Sequence, residues 1–207
     1  CGGLQSNLAP NAEVKSNTGP SRSEDTPNMN ETGATTDPEE SKAFAATVEL
    51  HGVKFVVESP NPAAGNKFTV TPSGLKESNE PFTQSVDGDV YGAEVGDLNI
   101  DQSPEIYVFV RERSGLKRST VYGFAANAKK SMSQFALADP DVKSKEYAGY
   151  NGEDEFAVVE NVLSRRFPIF EGTGADAKKT GKTRIVQYKI KPGEASWQFY
   201  VFRSDQY

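Results

Sequence analysis

Cysteine and histidine are nearly absent from this 207-residue chain, and their scarcity excludes several chemistries. The sequence contains one cysteine, Cys1, and one histidine, His51. An internal disulfide needs two cysteines, and a zinc site built from His and Cys ligands is excluded by count. His51 precedes Gly52 in a predicted turn between two strands, which is typical of a surface position. No glycine-rich run opens a helix, so no dinucleotide or P-loop site is predicted.

Aromatic residues are absent from the first part of the chain. Residues 1–42 contain no Phe, Tyr or Trp and are rich in Pro, Gly, Ser, Thr and Asn. Because such a segment buries too little apolar surface to offset the entropy of ordering, it is predicted to be a disordered tether before a domain at 43–207. Cys1, followed by small residues and a polar tail, is similar to the start of a mature bacterial lipoprotein, whose cysteine carries lipid. The expected location is the bacterial cell envelope, with the chain anchored to the membrane through Cys1 and facing the periplasm or the cell surface.

Excess positive charge and long apolar runs are also missing. The chain carries a formal net charge of −6, and residues 43–207 hold 22 acidic and 20 basic residues. A nearly neutral domain argues against nucleic-acid binding, which depends on clustered Lys and Arg. No stretch approaches the roughly 18 consecutive apolar residues that a membrane-spanning helix needs.

Short alternating segments dominate residues 43–207. They are rich in β-branched and aromatic residues and are separated by turn-forming residues. The segment EIYVFV (105–110) carries apolar residues at both odd and even positions, so both faces of this strand are expected to be covered. The pattern predicts an all-β fold, an antiparallel sandwich or barrel of about eight to ten short strands with little helix. Strands are predicted at 44–50, 53–58, 67–71, 89–96, 105–111, 119–126, 131–137, 156–163, 183–190 and 196–202, and one helical turn within 139–150.

A basic segment, RERSGLKRST (111–120), lies between two of these predicted strands. It contains Arg111, Arg113, Lys117 and Arg118 against a single acid, Glu112. Charge alone favours a solvated loop that helps to keep the protein soluble. The alternative is a hairpin tip that enters something negatively charged.

An acidic segment, DLNIDQSPE (97–105), precedes the EIYVFV strand. Asp97, Asn99, Asp101 and Glu105 occupy positions 1, 3, 5 and 9, which resembles the spacing of a calcium-binding loop. Gln102 stands where such loops usually have glycine. The alternative is a turn whose Asp and Asn side chains bond to their own backbone.

A second acidic cluster, GEDEF (152–156), contains three adjacent carboxylates. Paired carboxylates such as Asp154 and Glu155 could perform glycosidase chemistry. Three adjacent acids before a strand are more typical of a solvated turn, and the cluster that includes Glu153 is predicted to be one.

Three longer blocks carry a resemblance to a known family. They are GAEVGDLNIDQSPEIYVFV (92–110), GYNGEDEFAVVENVLSRRFPIF (149–170) and TGKTRIVQYKIKPGEASW (180–197). In this order and spacing they are similar to the periplasmic inhibitors of invertebrate-type (I-type) lysozyme, the PliI family. The resemblance implies a β-sandwich that inhibits lysozyme and has no catalytic activity.

In that family a loop with a Ser-Gly-x-Tyr motif is thought to enter the lysozyme cleft. The corresponding place here is the basic segment, where Ser114 and Gly115 match and Lys117 stands where tyrosine is expected. The nearest tyrosine, Tyr122, is predicted to lie in the next strand. The resemblance therefore implies an inhibitory loop made of Arg113, Ser114, Gly115, Lys117, Arg118 and Tyr122.

The function predicted from these observations is inhibition of lysozyme, of I-type or another muramidase, by a protein that is not an enzyme and needs no cofactor. The alternatives are a surface module that binds glycan or calcium, and a glycan-cleaving enzyme. Reversing Arg113, Lys117 and Arg118 to Glu is expected to weaken binding and leave folding intact. Outside the loop, Arg166 is expected to pair with a nearby carboxylate, and the predicted core of the second block is Phe156, Val158 and Val159.

Overall fold

The computed structural model describes residues 42–207, where the regular structure is almost entirely β-strand. The predicted tether and the predicted lipid attachment at Cys1 lie outside the described residues, apart from Lys42, whose carbonyl accepts a hydrogen bond from Asn61 Nδ2 (3.0 Å). Within the described part of the chain, no helix is long and apolar enough to cross a membrane.

Twelve strands and two short 3-10 turns make up the fold of residues 42–207. The turns are Lys145–Tyr147, inside the segment predicted to hold a helical turn, and Gly174–Asp176. The strands are β1 (Phe44–Leu50), β2 (Val53–Ser59), β3 (Lys67–Ser73), β4 (Phe82–Ser85), β5 (Asp89–Gly96), β6 (Glu105–Arg111), β7 (Ser119–Asn127), β8 (Ser131–Ala136), β9 (Glu155–Val159), β10 (Val162–Glu171), β11 (Lys178–Pro192) and β12 (Trp197–Gln206).

These strands form three antiparallel sheets of four strands each. The N-terminal sheet has the order β1-β2-β3-β4, the middle sheet β5-β6-β7-β8 and the C-terminal sheet β12-β11-β10-β9. Every pair of neighbours is consecutive in the chain, because antiparallel strands can be joined by short turns. The result confirms the predicted all-β, antiparallel, sandwich-like fold.

The middle sheet contributes its two faces to two different hydrophobic cores. Tyr107 and Phe109 of β6 pack in a core with residues of the C-terminal sheet, whereas Ile106, Val108 and Val110 pack with residues of the N-terminal sheet. All five side chains are buried, so the prediction that both faces of β6 are covered is confirmed. Each fully buried side chain of this kind contributes about 1.5–3 kcal/mol of hydrophobic stabilisation.

The segment FAVVENVL (156–163) does not form the single strand that the sequence predicts. It is a hairpin, in which β9 pairs with β10 around Glu160 and Asn161. Glu160 takes the left-handed conformation (φ +54°), so the turn lacks the glycine that usually signals it. Val159, at the end of β9, is 50% exposed, and its assignment to the core is wrong, while Phe156 is buried.

Two further differences have local causes. The four-residue strand β4 was not predicted, because it is short and follows an irregular connection over residues 74–81. Strand β11 is longer than the predicted 183–190. Its first residues, 178–182, are all exposed and mostly polar, so they show no apolar alternation.

Candidate functional site

The basic segment forms the connection between β6 and β7, and residues 112–118 are called the basic tip. Arg111 pairs with Ser119 across the two strands at its base. Above that pair, the Glu112 amide donates to the Arg118 carbonyl (2.9 Å), and the Arg118 amide donates to Glu112 Oε2 (3.3 Å). These bonds close the tip into a compact hairpin end.

Four residues of the basic tip are exposed: Ser114, Gly115, Lys117 and Arg118. Gly115 and Lys117 both take left-handed backbone conformations, with φ of +71° and +53°. Glycine takes this conformation without the steric cost that a Cβ brings, and lysine takes it at some cost. The Lys117 ammonium donates to the carbonyl of Arg113, which ties the side chain to its own loop.

Arg113 is held by two other segments of the domain. Its Nε donates to Asp89 Oδ1 (3.0 Å) at the start of β5, and its Nη1 donates to the Ala63 carbonyl (2.7 Å). The Pro62 carbonyl accepts a further bond from Nη2. The charge of Arg113 is therefore paired with Asp89. Arg113 is called the latch, because its bonds hold the basic tip against the domain.

Arg111 is also turned toward the domain. Its guanidinium lies 4.3 Å from the centre of the Tyr91 ring, and its Nη2 donates to the Asp154 carbonyl (3.4 Å). Of the four basic residues in the segment, the structure leaves Lys117 and Arg118 as the exposed cations. The positive charge offered to a partner is smaller than the sequence suggests.

Tyr122 does not join the basic tip. It lies within β7, as predicted, and its ring packs edge-on against Phe68 of the N-terminal sheet, with centroids 5.5 Å apart. Burial raises its pKa above the ordinary value of tyrosine. The structure thus brings five of the six predicted inhibitory residues together and places the sixth against the N-terminal sheet.

The cluster Glu153, Asp154 and Glu155 is not a uniformly solvated turn. Asp154 is 0% exposed and pairs with Arg165 of β10 (2.5 Å), which is 2% exposed. Glu153 pairs with Lys179 and Glu155 with Arg166 at the surface. Every carboxylate of the cluster is paired with a cation, and a glycan-cleaving enzyme would have to free two of them. The predicted carboxylate partner of Arg166 is confirmed as Glu155.

Burial and charge act in opposite directions on Arg165. Burial alone would lower its pKa, because a charged guanidinium loses its water. The Asp154 carboxylate, together with Tyr188 and Tyr150, outweighs this effect and holds the pKa of Arg165 above its ordinary value. Arg165 therefore stays charged inside the domain.

The acidic loop (residues 97–105) lies at the other end of β6. Carboxylate oxygens of Asp97, Asp101 and Glu105 lie within 4.8 Å of one another. Asp97 accepts hydrogen bonds from the amides of Asp101 (3.0 Å) and Gln102 (2.9 Å), as an Asx-rich turn does. The Asn99 side chain donates from Nδ2 to Asp101 Oδ2 (2.9 Å). The loop thus combines the Asx turn with the convergence of oxygens that a calcium loop needs.

Two details of the acidic loop go beyond the sequence. Gln102, which replaces the usual glycine, still takes the left-handed conformation (φ +67°). Burial raises the pKa of the Glu105 carboxyl to about 8, although that carboxyl accepts bonds from the Leu98 amide and the Tyr107 hydroxyl. His51 lies in a turn, as predicted, and its Nε2 is 3.4 Å from Asp97.

Sequence reasoning missed the residues that support the basic tip, namely Asp89, Tyr91, Gly152 and Asp154. They come from other parts of the chain and show no local pattern. One sequence signal for Gly152 and Asp154 was present. Both lie in GYNGEDEF, which begins the second block that resembles the lysozyme inhibitors, and this segment is longer than a solvated turn needs to be. Comparisons of the chain with protein-family models, with curated proteins and with solved structures gave no match.

Proposed function

We propose that this chain is a protein inhibitor of lysozyme that acts by placing the basic tip in the active-site cleft of its target. The observation that carries the proposal is the exposure of Ser114, Gly115, Lys117 and Arg118 at the end of a hairpin that is otherwise tied to the domain. The three blocks similar to the I-type lysozyme inhibitors support it. In that comparison the Ser114-Gly115 pair stands at the position of the family's inhibitory loop.

The chemistry of the target suits such a tip. Lysozymes use two carboxyl groups on either side of the glycosidic bond, in a cleft that must accept sugar. A narrow tip with a hydroxyl, a glycine and two cations could enter this cleft and pair with those carboxylates. Charge-assisted hydrogen bonds would give specificity, and complementary fields would speed the encounter.

Lys117 changes the expected mode of contact. Where the family has a tyrosine, a lysine offers an ion pair instead of an aromatic surface. Inhibition by this chain is therefore expected to weaken as salt is added, because exposed charge pairs are screened. The proposal also places the chain in the bacterial cell envelope, attached to a membrane through lipid on Cys1.

The direct test uses the full chain and lysozymes of several types acting on a peptidoglycan suspension. The double variant Lys117→Glu, Arg118→Glu is expected to inhibit at least 100-fold more weakly, with an unchanged melting temperature. A matched control is Lys54→Glu, Lys76→Glu. This control changes the net charge by the same amount and also replaces two exposed basic residues. Both lysines lie near the His51 turn, whose carbonyl accepts a hydrogen bond from Lys129. If the unaltered chain at micromolar concentration slows no lysozyme, the proposal is wrong.

A second candidate function is a calcium-binding surface module without inhibitory activity. The convergence of Asp97, Asp101 and Glu105 favours it. Calorimetric titration of the chelator-treated chain with Ca²⁺ tests it, and an absence of both heat and thermal stabilisation would exclude it. Lysis of the suspension by the chain itself would instead support the glycan-cleaving alternative.

A further inference from the structure

The basic tip is attached to a segment of the chain that lies far from it in sequence. Residues 151–154, called the brace, precede β9 of the C-terminal sheet. The Glu153 amide donates to the Leu116 carbonyl (3.0 Å), in the middle of the tip. Gly152 lies so close to the same carbonyl that an added Cβ would sit 2.0 Å from its oxygen. The brace therefore contacts the tip backbone directly and leaves no space between them.

Asp154 fixes the base of the tip. Its Oδ1 accepts the Ser119 amide (2.8 Å), and its backbone carbonyl accepts the Ser119 hydroxyl (2.7 Å). The same carbonyl accepts a bond from Arg111. Arg111 and Ser119 flank the two ends of the tip, so the single buried residue Asp154 holds both ends in place.

The brace is in turn fixed by the core of the domain. Arg165 Nε donates to Asp154 Oδ2 (2.6 Å), and Arg165 Nη2 donates to the Tyr150 hydroxyl (3.0 Å). The guanidinium also lies 4.8 Å from the Tyr150 ring centre and 5.1 Å from that of Phe156. Movement of Asp154 away from Arg165 would leave a buried charge without its partner, which is costly. The position of Asp154 is thus set by the C-terminal sheet.

We propose that Gly152, Glu153 and Asp154 are positioning residues that hold the basic tip in one preformed conformation, and that tight inhibition depends on them. This inference rests on the proposed function. A loop that is already ordered loses less conformational entropy on binding than a loop that must be ordered by its target. Gly152 and Asp154 are buried, and Glu153 contacts the tip through its backbone amide, so their effect on binding passes through the tip conformation.

Gly152→Ala tests the brace with a matched glycine control. The alanine would force the Leu116 carbonyl away from its present position. Gly181→Ala imposes a similar left-handed strain, since φ is +82° there and +88° at Gly152, but its Cβ meets nothing within 4 Å. We expect Gly152→Ala to raise the inhibition constant at least tenfold and Gly181→Ala to change it less than twofold.

A milder pair of variants covers the case in which Gly152→Ala fails to fold. Ser119→Ala removes the hydroxyl that bonds to the Asp154 carbonyl and keeps the amide that bonds to its carboxylate. We expect inhibition several-fold weaker than that of the unaltered chain. Ser119→Thr, which restores a hydroxyl, is expected to recover most of the loss. If the two variants have equal melting temperatures, the recovery of inhibition reflects the conformation of the tip and not the stability of the domain.

Amide hydrogen exchange in the free protein gives a readout that does not involve lysozyme. The Glu112 and Arg118 amides, which close the tip, are expected to exchange faster in Gly152→Ala and Ser119→Ala but not in Gly181→Ala. Unchanged exchange together with unchanged inhibition would overturn the brace. If the unaltered chain inhibits no lysozyme, the proposed function fails, and the exchange rates still decide whether the brace holds the tip.

Discussion

The two connections at the ends of β6 differ in how they are held. In the acidic loop, side chains bond to amides only a few residues away, as Asp97 does to Asp101 and Gln102. In the basic tip, the fixed points are remote. Arg113 binds Asp89, 24 residues away, and Ser119 binds Asp154, 35 residues away. The acidic loop is held mainly by bonds within its own sequence, whereas the basic tip adds remote bonds to the local ones that close it.

This difference has a consequence for function. A self-contained loop keeps its shape when distant residues change, and its electrostatics depend on its own acids. A loop that is held from outside can be altered by substitutions far from the contact surface. The basic tip is therefore expected to be sensitive to the C-terminal sheet, and the acidic loop to pH.

The largest expected effect is loss of the remote support of the tip. Asp154→Ala would leave Arg165 charged, buried and without its carboxylate, and is expected to lower the free energy of unfolding by about 3–5 kcal/mol. Urea denaturation measures this change. The control is Glu155→Ala, which breaks the exposed pair with Arg166 and should cost about 0–1 kcal/mol. Equal small losses for both variants would mean that Asp154 supports nothing.

The second prediction concerns the acidic loop and pH. The folded-state pKa of Glu105, about 8, lies above the ordinary value of 4.5, so between these pH values the folded protein binds more protons than the unfolded chain. Its contribution to stability is complete below pH 4.5 and is lost as the pH rises through about 8. Stability in the presence of a chelator should therefore fall across this window.

Glu105→Gln removes the titrating group and keeps an oxygen that can accept the Leu98 amide. Relative to the unaltered chain, the stability of this variant is expected to rise by about 4 kcal/mol between pH 5 and pH 9, because each of about three pH units is worth about 1.4 kcal/mol. Thermal or urea unfolding at several pH values measures the difference. Parallel pH curves for the two proteins would show that Glu105 does not titrate in this range.

The smallest expected effect concerns the latch between the tip and β5. Arg113→Ala removes the bonds to Asp89 and to residues 62–63, and should lower the free energy of unfolding by about 1 kcal/mol. Lys117→Ala, the matched change at an exposed cation of the same tip, should alter stability by less than about 0.5 kcal/mol. A reversed order of the two effects would show that Arg113 is not the latch. The triple charge reversal of Arg113, Lys117 and Arg118 therefore changes two kinds of residue at once. Arg113 supports the tip, whereas Lys117 and Arg118 are the exposed residues proposed to contact lysozyme.

Much of the fold could be predicted from local patterns. The bounds of β1, β5 and β6 agree with the predicted segments, because apolar alternation and turn residues mark both ends of each strand. The hairpin at Glu160 could not be predicted in this way, since a glutamate takes the conformation usual for glycine. The exposure of Val159 follows from that missed turn.

The same contrast applies to the candidate sites. The convergence of Asp97, Asp101 and Glu105 follows from their spacing within one loop, and the structure shows it. The exposed residues of the tip could also be read from the sequence. Its brace and its latch could not, because they depend on which distant segments the three sheets bring together. The position of Tyr122 in β7 was predicted, whereas the packing of its ring against Phe68 depends on how the sheets come together.

Whether the basic tip is the surface that binds lysozyme can be measured by titrating the isotope-labelled full chain with unlabelled I-type lysozyme and following the backbone amides by NMR. We expect the amides of Ser114, Gly115, Lys117 and Arg118 to shift or broaden while those of Asp97, Asn99 and Asp101 stay unchanged. Changes confined to the acidic loop, or no changes in either loop at saturating lysozyme, would contradict this expectation.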